Sequence, residues 1–336
     1  MEKVEISQEK KSRFDLSEKS SKKDMLYKFG SLLGLIILCV ILSIASPQFL
    51  TSSNLMNVFR QCTVNALIAV GMLMPILTGG IDLSVGSMLA FSTCFMGIAV
   101  ISWGMNPILA MILSLIVGAI LGMLNGLMLT KMHLPHPFIS TLGMKNIARG
   151  LALVMTAASP ISGFPQSIQY LGSKSVFGIP ISFVLVIVVF IVFSIFLNKT
   201  AQGRYIYAVG GNKEAARLSG INVDKTLVLV YTICGFMAAL AGVILVGRVN
   251  SASPLAGLDY DLDAIAACII GGASFLGGKG NVSGVMIGVM IMAVLRNGLN
   301  LLGVSADIQN VAVGAVIIIA VYVDVLRMKA SKKVKC

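Results

Sequence analysis

The chain has 336 residues, 57% of them hydrophobic and only 12% charged, with a mean hydropathy of +0.91 and a formal net charge of +12. An ordinary soluble domain is roughly 25% charged, so a soluble enzyme, a nucleic-acid binder and a secreted disulfide scaffold are excluded at once. The sequence specifies an all-α, polytopic membrane protein, whose positive charge bears on topology before it bears on any partner.

Residues 1–28 hold fourteen of the charges and form a mixed-charge head, expected to be disordered and cytoplasmic. Phe29–Ser46 is the first apolar run. Its Ser43-Ile44-Ala45 has a small-x-small cleavage pattern, but the head is long and the run approaches spanning length, so a retained helix is expected. Thr51–Gln61 mixes polar and apolar residues and reads as a helix lying in the interface. Further spans follow at about 61–78, 83–103, 107–130, 138–157, 176–197, 226–247, 262–276, 284–303 and 307–326, about ten in all.

With the N-terminus inside, the inner segments hold eight Lys/Arg in the head, Lys131, five in 199–225, Lys279 and five in the tail. The outer segments hold only Arg60, Lys174 and Arg248, and Lys145, Arg149 and Arg296 fall within spans. This positive-inside bias makes both termini cytoplasmic. Residues 29–327 then form the transmembrane domain, 198–225 its long charged cytoplasmic loop, and 328–336 a basic cytoplasmic tail.

An ungapped offset of 198 aligns residues 65–88 with 263–286, matching Ala66/Ala264, Ala69/Ala267, Gly79/Gly277, Gly80/Gly278, Gly86/Gly284 and Met88/Met286. The two stretches are expected to run in the same direction, unlike an inverted repeat. Convergence on a glycine turn explains the match equally well.

Several stretches bear on chemistry. In Thr78–Ser87, Gly79 and Gly80 end one helix, Asp82 or Ser84 can cap the next, and Gly86 follows within its first turn. A capped tight turn and a part in gating or partner contact both fit. Residues 212–220 read as a miniature helix. Asn212 caps it, Lys213, Glu214, Ala215, Ala216, Arg217, Leu218 and Ser219 form it, and Gly220 supplies a left-handed stop. About two turns are not stable alone in water, so the segment must pack either on the chain's own helix ends or into a partner's groove.

Asp259, Asp261 and Asp263 lie beside Arg248 on the expected outer face, as a solvated loop or a docking surface for an external partner. They lack the remaining ligands of a calcium loop. His133 and His136 make a poor metal pair, and the six cysteines show neither a metal nor a disulfide spacing. No metal site and no cofactor are expected. Gly277-Gly278-Lys279-Gly280 fails as a phosphate loop, because Ala273 stands where the first glycine belongs and Gly280 where Ser or Thr belongs. Carboxylates are nearly missing from the expected spans, which disfavours proton-coupled transport.

Gly-Ile-Asp-Leu-Ser-Val-Gly-Ser at 80–87, the run from Tyr207 to Val223, the run from Leu262 to Gly280, and Asn297-Gly298-Leu299-Asn300 together resemble the permease subunits of bacterial ABC monosaccharide importers. The likeness is to the ribose-type branch, which includes permeases for allose, xylose, galactose and autoinducer-2, and it covers about residues 30–327. It implies a non-catalytic pathway subunit of the bacterial plasma membrane that pairs with a second permease copy amid membrane lipid. It also implies a cytoplasmic ATPase on a separate chain, an extracytoplasmic sugar-binding protein, and residues 212–220 as the element coupled to the ATPase. No nucleic acid is implied, and the substrate-binding residues are left unknown. The competing readings are an ion-coupled sugar transporter, an ABC permease for a small solute such as autoinducer-2, and an intramembrane enzyme, for which no nucleophile–base or metal constellation is found.

Overall fold

Backbone polar groups without water must bond within their own segment, so long apolar runs become helices. The computed structural model describes residues 30–333, and in it most of each run is helical. The charged head expected over 1–28 lies outside the described residues, as does the end of the basic tail. The helices are α1 (Gly30–Ala45), α2 (Ser52–Leu77), α3 (Val85–Gly97), α4 (Pro107–Lys131), α5 (Pro137–Met155), α6 (Gln166–Ser173) and α7 (Ile181–Lys199). They continue with α8 (Ala201–Gly211), α9 (Lys213–Leu218), α10 (Val223–Val249), α11 (Tyr260–Ile270), α12 (Val282–Leu301) and α13 (Ala306–Lys333). Short strands β1 (Ile161–Ser162) and β4 (Ser251–Ala252) pair antiparallel, as do β2 (Ser175–Val176) and β3 (Ile179–Pro180).

Seven of the described helices are long and apolar enough to cross a membrane: α2, α3 with its π-helical extension to Ser102, α4, α7, α10, α12 and the part of α13 up to Val323. The other three expected spans are helices too, with differences. Helix α1 is short, α5 carries Lys145 and Arg149, and α11 has only 11 residues. Thr51–Gln61 is not a separate interfacial helix. Thr51 caps α2 through the Asn54 N–H, and the segment runs unbroken into the span as its first turns. The stretch expected to open the 176–197 span is instead the β2–β3 hairpin, after which α7 begins.

Two helices organise the bundle. Most of α2 is buried, and α10 packs on α2, α3, α4 and α6. The α4–α10 seam is antiparallel and built on small residues. A Cβ at Gly122 would stand 2.1 Å from the Tyr231 carbonyl oxygen, so only glycine permits this approach of the two backbones. Helix α7, by contrast, exposes Ile187, Val188, Ile191, Val192 and Ile195. An apolar surface of that extent belongs in lipid or against another chain.

The 198-residue offset has a spatial meaning. Helices α2 and α11 run parallel, side by side, with matched or next-to-matched residues in contact. Asn65 donates to Asp263 at 3.5 Å, the Cys268 thiol to the Ala69 carbonyl at 3.2 Å, and a Cβ at Gly277 would stand 2.7 Å from Gly79 N.

Candidate functional site

The glycine-rich breaks meet at one end of the bundle. The Gly278 N–H donates to the Leu77 carbonyl at 2.8 Å, and the Tyr207 hydroxyl to the Gly280 carbonyl at 2.8 Å. Gly210 of α8 fits between them: a Cβ there would lie 1.7 Å from Leu77 O and 2.6 Å from Gly278 N. The segment resembling a phosphate loop is thus a backbone junction joining α2, α8 and the loop after α11.

Helix α9 sits at the same end. Asn212 caps it by accepting the Ala215 N–H at 3.0 Å, Glu214 lies in the first turn and Arg217 in the last, and Gly220 turns out at φ +81. Ala216 is buried with Val209, Val223 and Leu227, which holds the short helix on the body. The rest of the helix is exposed, including Leu218 at 89% and a solvated Glu214–Arg217 pair. The chain's own helix ends therefore seat α9, and an unpartnered apolar side chain projects from it.

Between α2 and α3, Asp82 is fully buried. It accepts the Ser84 N–H at 2.9 Å and the Ser84 hydroxyl, with the Asn125 amide 3.5 Å from each oxygen. Burial pushes the Asp82 carboxyl up, against these hydrogen bonds. Ser84 stands at the N-cap of α3 without accepting a helix N–H, because its hydroxyl donates to Asp82 and accepts from Asn125 at 2.8 Å. Of the two expected caps only the aspartate bonds to the backbone. Gly86 packs against the Gly257 carbonyl.

The opposite end corrects the acidic cluster. Asp261 and Asp263 are buried, each paired at 2.7 Å, with Lys145 and Arg296 respectively. They are not surface charges, because α11 starts inside the bundle rather than at its edge. Carboxylates are therefore present among the spans, held as ion pairs. Arg149 donates to the Pro254 and Ala256 carbonyls, satisfying backbone that leaves the helical pattern inside the bundle. The three cations that composition left inside spans are the supports of the broken α11 segment. Only Asp259 of the three aspartates is exposed, with Arg248 half-buried and donating to the Arg60 carbonyl at 3.1 Å.

A cavity of about 610 Å³ opens here. Asn57, Gln61 and Asn65 of α2 line it with Arg248, Asp259 and Arg296. Sequence reasoning missed these amides. Their signal was present, since residues at i, i+4 and i+8 share one helix face, but the stretch was divided between an interfacial helix and a span. His136 is occupied in capping α5 through the Phe138 N–H at 3.1 Å.

A helical bundle whose spans are interrupted by hydrogen-bonded irregular backbone, with a seated helix at one end and a polar cavity at the other, has the architecture of a membrane permease. The family model described as "Branched-chain amino acid transport system / permease component" matches residues 54–321, and the chain belongs to this family. It is 46% identical over 302 residues to the ribose import permease protein of Bacillus subtilis (strain 168), covering 89% of this chain and 93% of that one. It is 44% identical over 306 residues to the ribose import permease protein of Escherichia coli (strain K12), covering 90% and 95%. It is 40% identical over 320 residues to the D-allose transport system permease protein of the same strain, covering 93% and 98%. No solved structure matches. The chain is a multi-pass permease component, a transport subunit and not an enzyme.

Proposed function

We propose that the chain is the pathway subunit of an ATP-binding-cassette importer for ribose or a closely related monosaccharide. The observation that carries this reading is the near full-length likeness to ribose and allose permeases, at 40–46% identity. The α9 end is cytoplasmic, as the positive-inside count indicates. There α9, with Leu218 exposed, docks into a groove on a separate ATPase, and the glycine junction beneath it passes the motion to α2. The cavity end is extracytoplasmic and receives sugar from a binding protein, with Arg248 and Asp259 contributing charge to that encounter. Asp261 and Asp263 have no part in docking. All ten apolar helical segments count as spans, both termini are cytoplasmic, and the largely exposed α7 and α13 face lipid or a second permease copy.

The test is co-purification with an ABC ATPase from the same organism, together with a sugar panel titrated into a candidate binding protein from that organism. Retention of the ATPase and selective binding of a pentose or hexose are expected. Failure of the ATPase to associate under any nucleotide condition would refute the importer reading.

A further inference from the structure

Asn57 and Gln61 are exposed within the cavity, and neither side chain makes a hydrogen bond to any described residue. Asn65 lies one turn deeper and reaches Asp263, which is held by Arg296. A stripe of amides thus descends one face of α2 to an ion pair. Below it the two parallel helices close on each other at Ala69 and Cys268.

Unused amides on a membrane helix call for a ligand that both donates and accepts, because each amide offers a carbonyl oxygen and two N–H groups. A neutral polyol meets that demand whatever the orientation of its hydroxyls. Leu258 and Tyr260 also line the cavity and supply apolar and aromatic surface for the C–H face of a sugar ring. The cavity volume lies within the roughly 300–1,000 Å³ of small-molecule sites. We propose that this cavity is a monosaccharide site in the permease itself, where Asn57 and Gln61 take the hydroxyls first and Asn65 with Asp263 and Arg296 form its floor. The proposal rests on the sugar-import reading and gives that reading a location. An anion is the competing occupant, because Arg60 and Arg248 also line the cavity with only neutral partners; it is the less favoured one, because Arg296 is already neutralised by Asp263 and the Asp259 carboxylate stands on the same lining.

The test uses the permease assembled with its ATPase and binding protein in lipid vesicles. A single cysteine is introduced as Gln61→Cys, with Phe177→Cys, fully exposed on the β2–β3 turn outside the cavity, as the comparison. A membrane-impermeant thiol reagent is applied with and without D-ribose, D-allose, D-fructose or D-galactose. One of these sugars is expected to slow modification of Gln61→Cys about threefold or more and to leave Phe177→Cys unchanged. In parallel, Asn57→Leu with Gln61→Leu should lower uptake about tenfold while the ATPase stays bound. Unchanged labelling in a complex that still imports one of the sugars would overturn the cavity assignment alone. Protection by inorganic phosphate and by no sugar would also overturn it. A complex that imports none of them would overturn the import reading, and the cavity assignment with it.

Discussion

Gly210→Ala tests whether the glycine junction is a real mechanical contact. The added methyl would stand 1.7 Å from the Leu77 carbonyl oxygen and 2.6 Å from Gly278 N, both backbone atoms that no side-chain rotation can move away. Reaching ordinary contact requires the segments to part by roughly 1.5 Å. Overpacking of this kind costs about 1–3 kcal/mol. Separation also loosens the Gly278–Leu77 hydrogen bond of 2.8 Å, worth about 1 kcal/mol net. The neighbour supplies the control, because a Cβ at Gly211 would meet no atom within 4 Å. Gly211→Ala should be neutral or gain up to about 1 kcal/mol from helix propensity. Thermal unfolding of the purified permease in detergent reads the difference, with Gly210→Ala falling by roughly 5–10 °C and Gly211→Ala unchanged or raised. Equal melting temperatures for the two variants would refute the close backbone contact at this junction.

Other substitutions probe separate parts of the account. Leu218→Asp should leave the melting temperature unchanged, since the side chain is solvated, yet weaken ATPase co-purification by about tenfold or more. Gly220→Val should have the same effect by straining the left-handed stop at φ +81, and normal co-purification of both variants would remove α9 from the coupling role. Asp263→Asn, which leaves Arg296 without its carboxylate, should destabilise by about 2–4 kcal/mol, less than a fully buried pair because Arg296 is 24% exposed. A double-mutant cycle with Arg296→Gln checks this, and purely additive effects would deny the pair. Asp259→Lys should change uptake at low salt and much less at high salt, as rim charges act mainly on encounter rate; a salt-independent change would count against docking at this rim.

Much of this was legible in the sequence, for physical reasons. Hydropathy reveals apolar helices because bilayer and bundle both require them, and the α9 cap and stop were readable because they depend on local residues alone. Asn212 and Gly220 behave as their chemistry demands. The acidic cluster was misread because burial is not local: nothing in Asp261 or Asp263 announces that α11 begins inside the bundle. The counterpart signal was Lys145 and Arg296, cations set within apolar helices, where they need partners. The cavity was hidden for a related reason. Asn57 and Gln61 looked interfacial until α2 proved continuous, and only then did their shared face become visible. The offset of 198 found real neighbours, Asn65 with Asp263 and Gly79 with Gly277, although the alignment alone did not distinguish contact from convergence.

The central claim is that this chain conducts a sugar using energy supplied by another subunit. Reconstitution in vesicles with the partner ATPase and binding protein, followed by radiolabelled D-ribose uptake, tests it most directly. Uptake is expected only with all three proteins and hydrolysable ATP, and a pH gradient is expected to leave it unchanged. Accumulation by the permease alone, driven by a proton gradient and independent of ATP, would contradict the account.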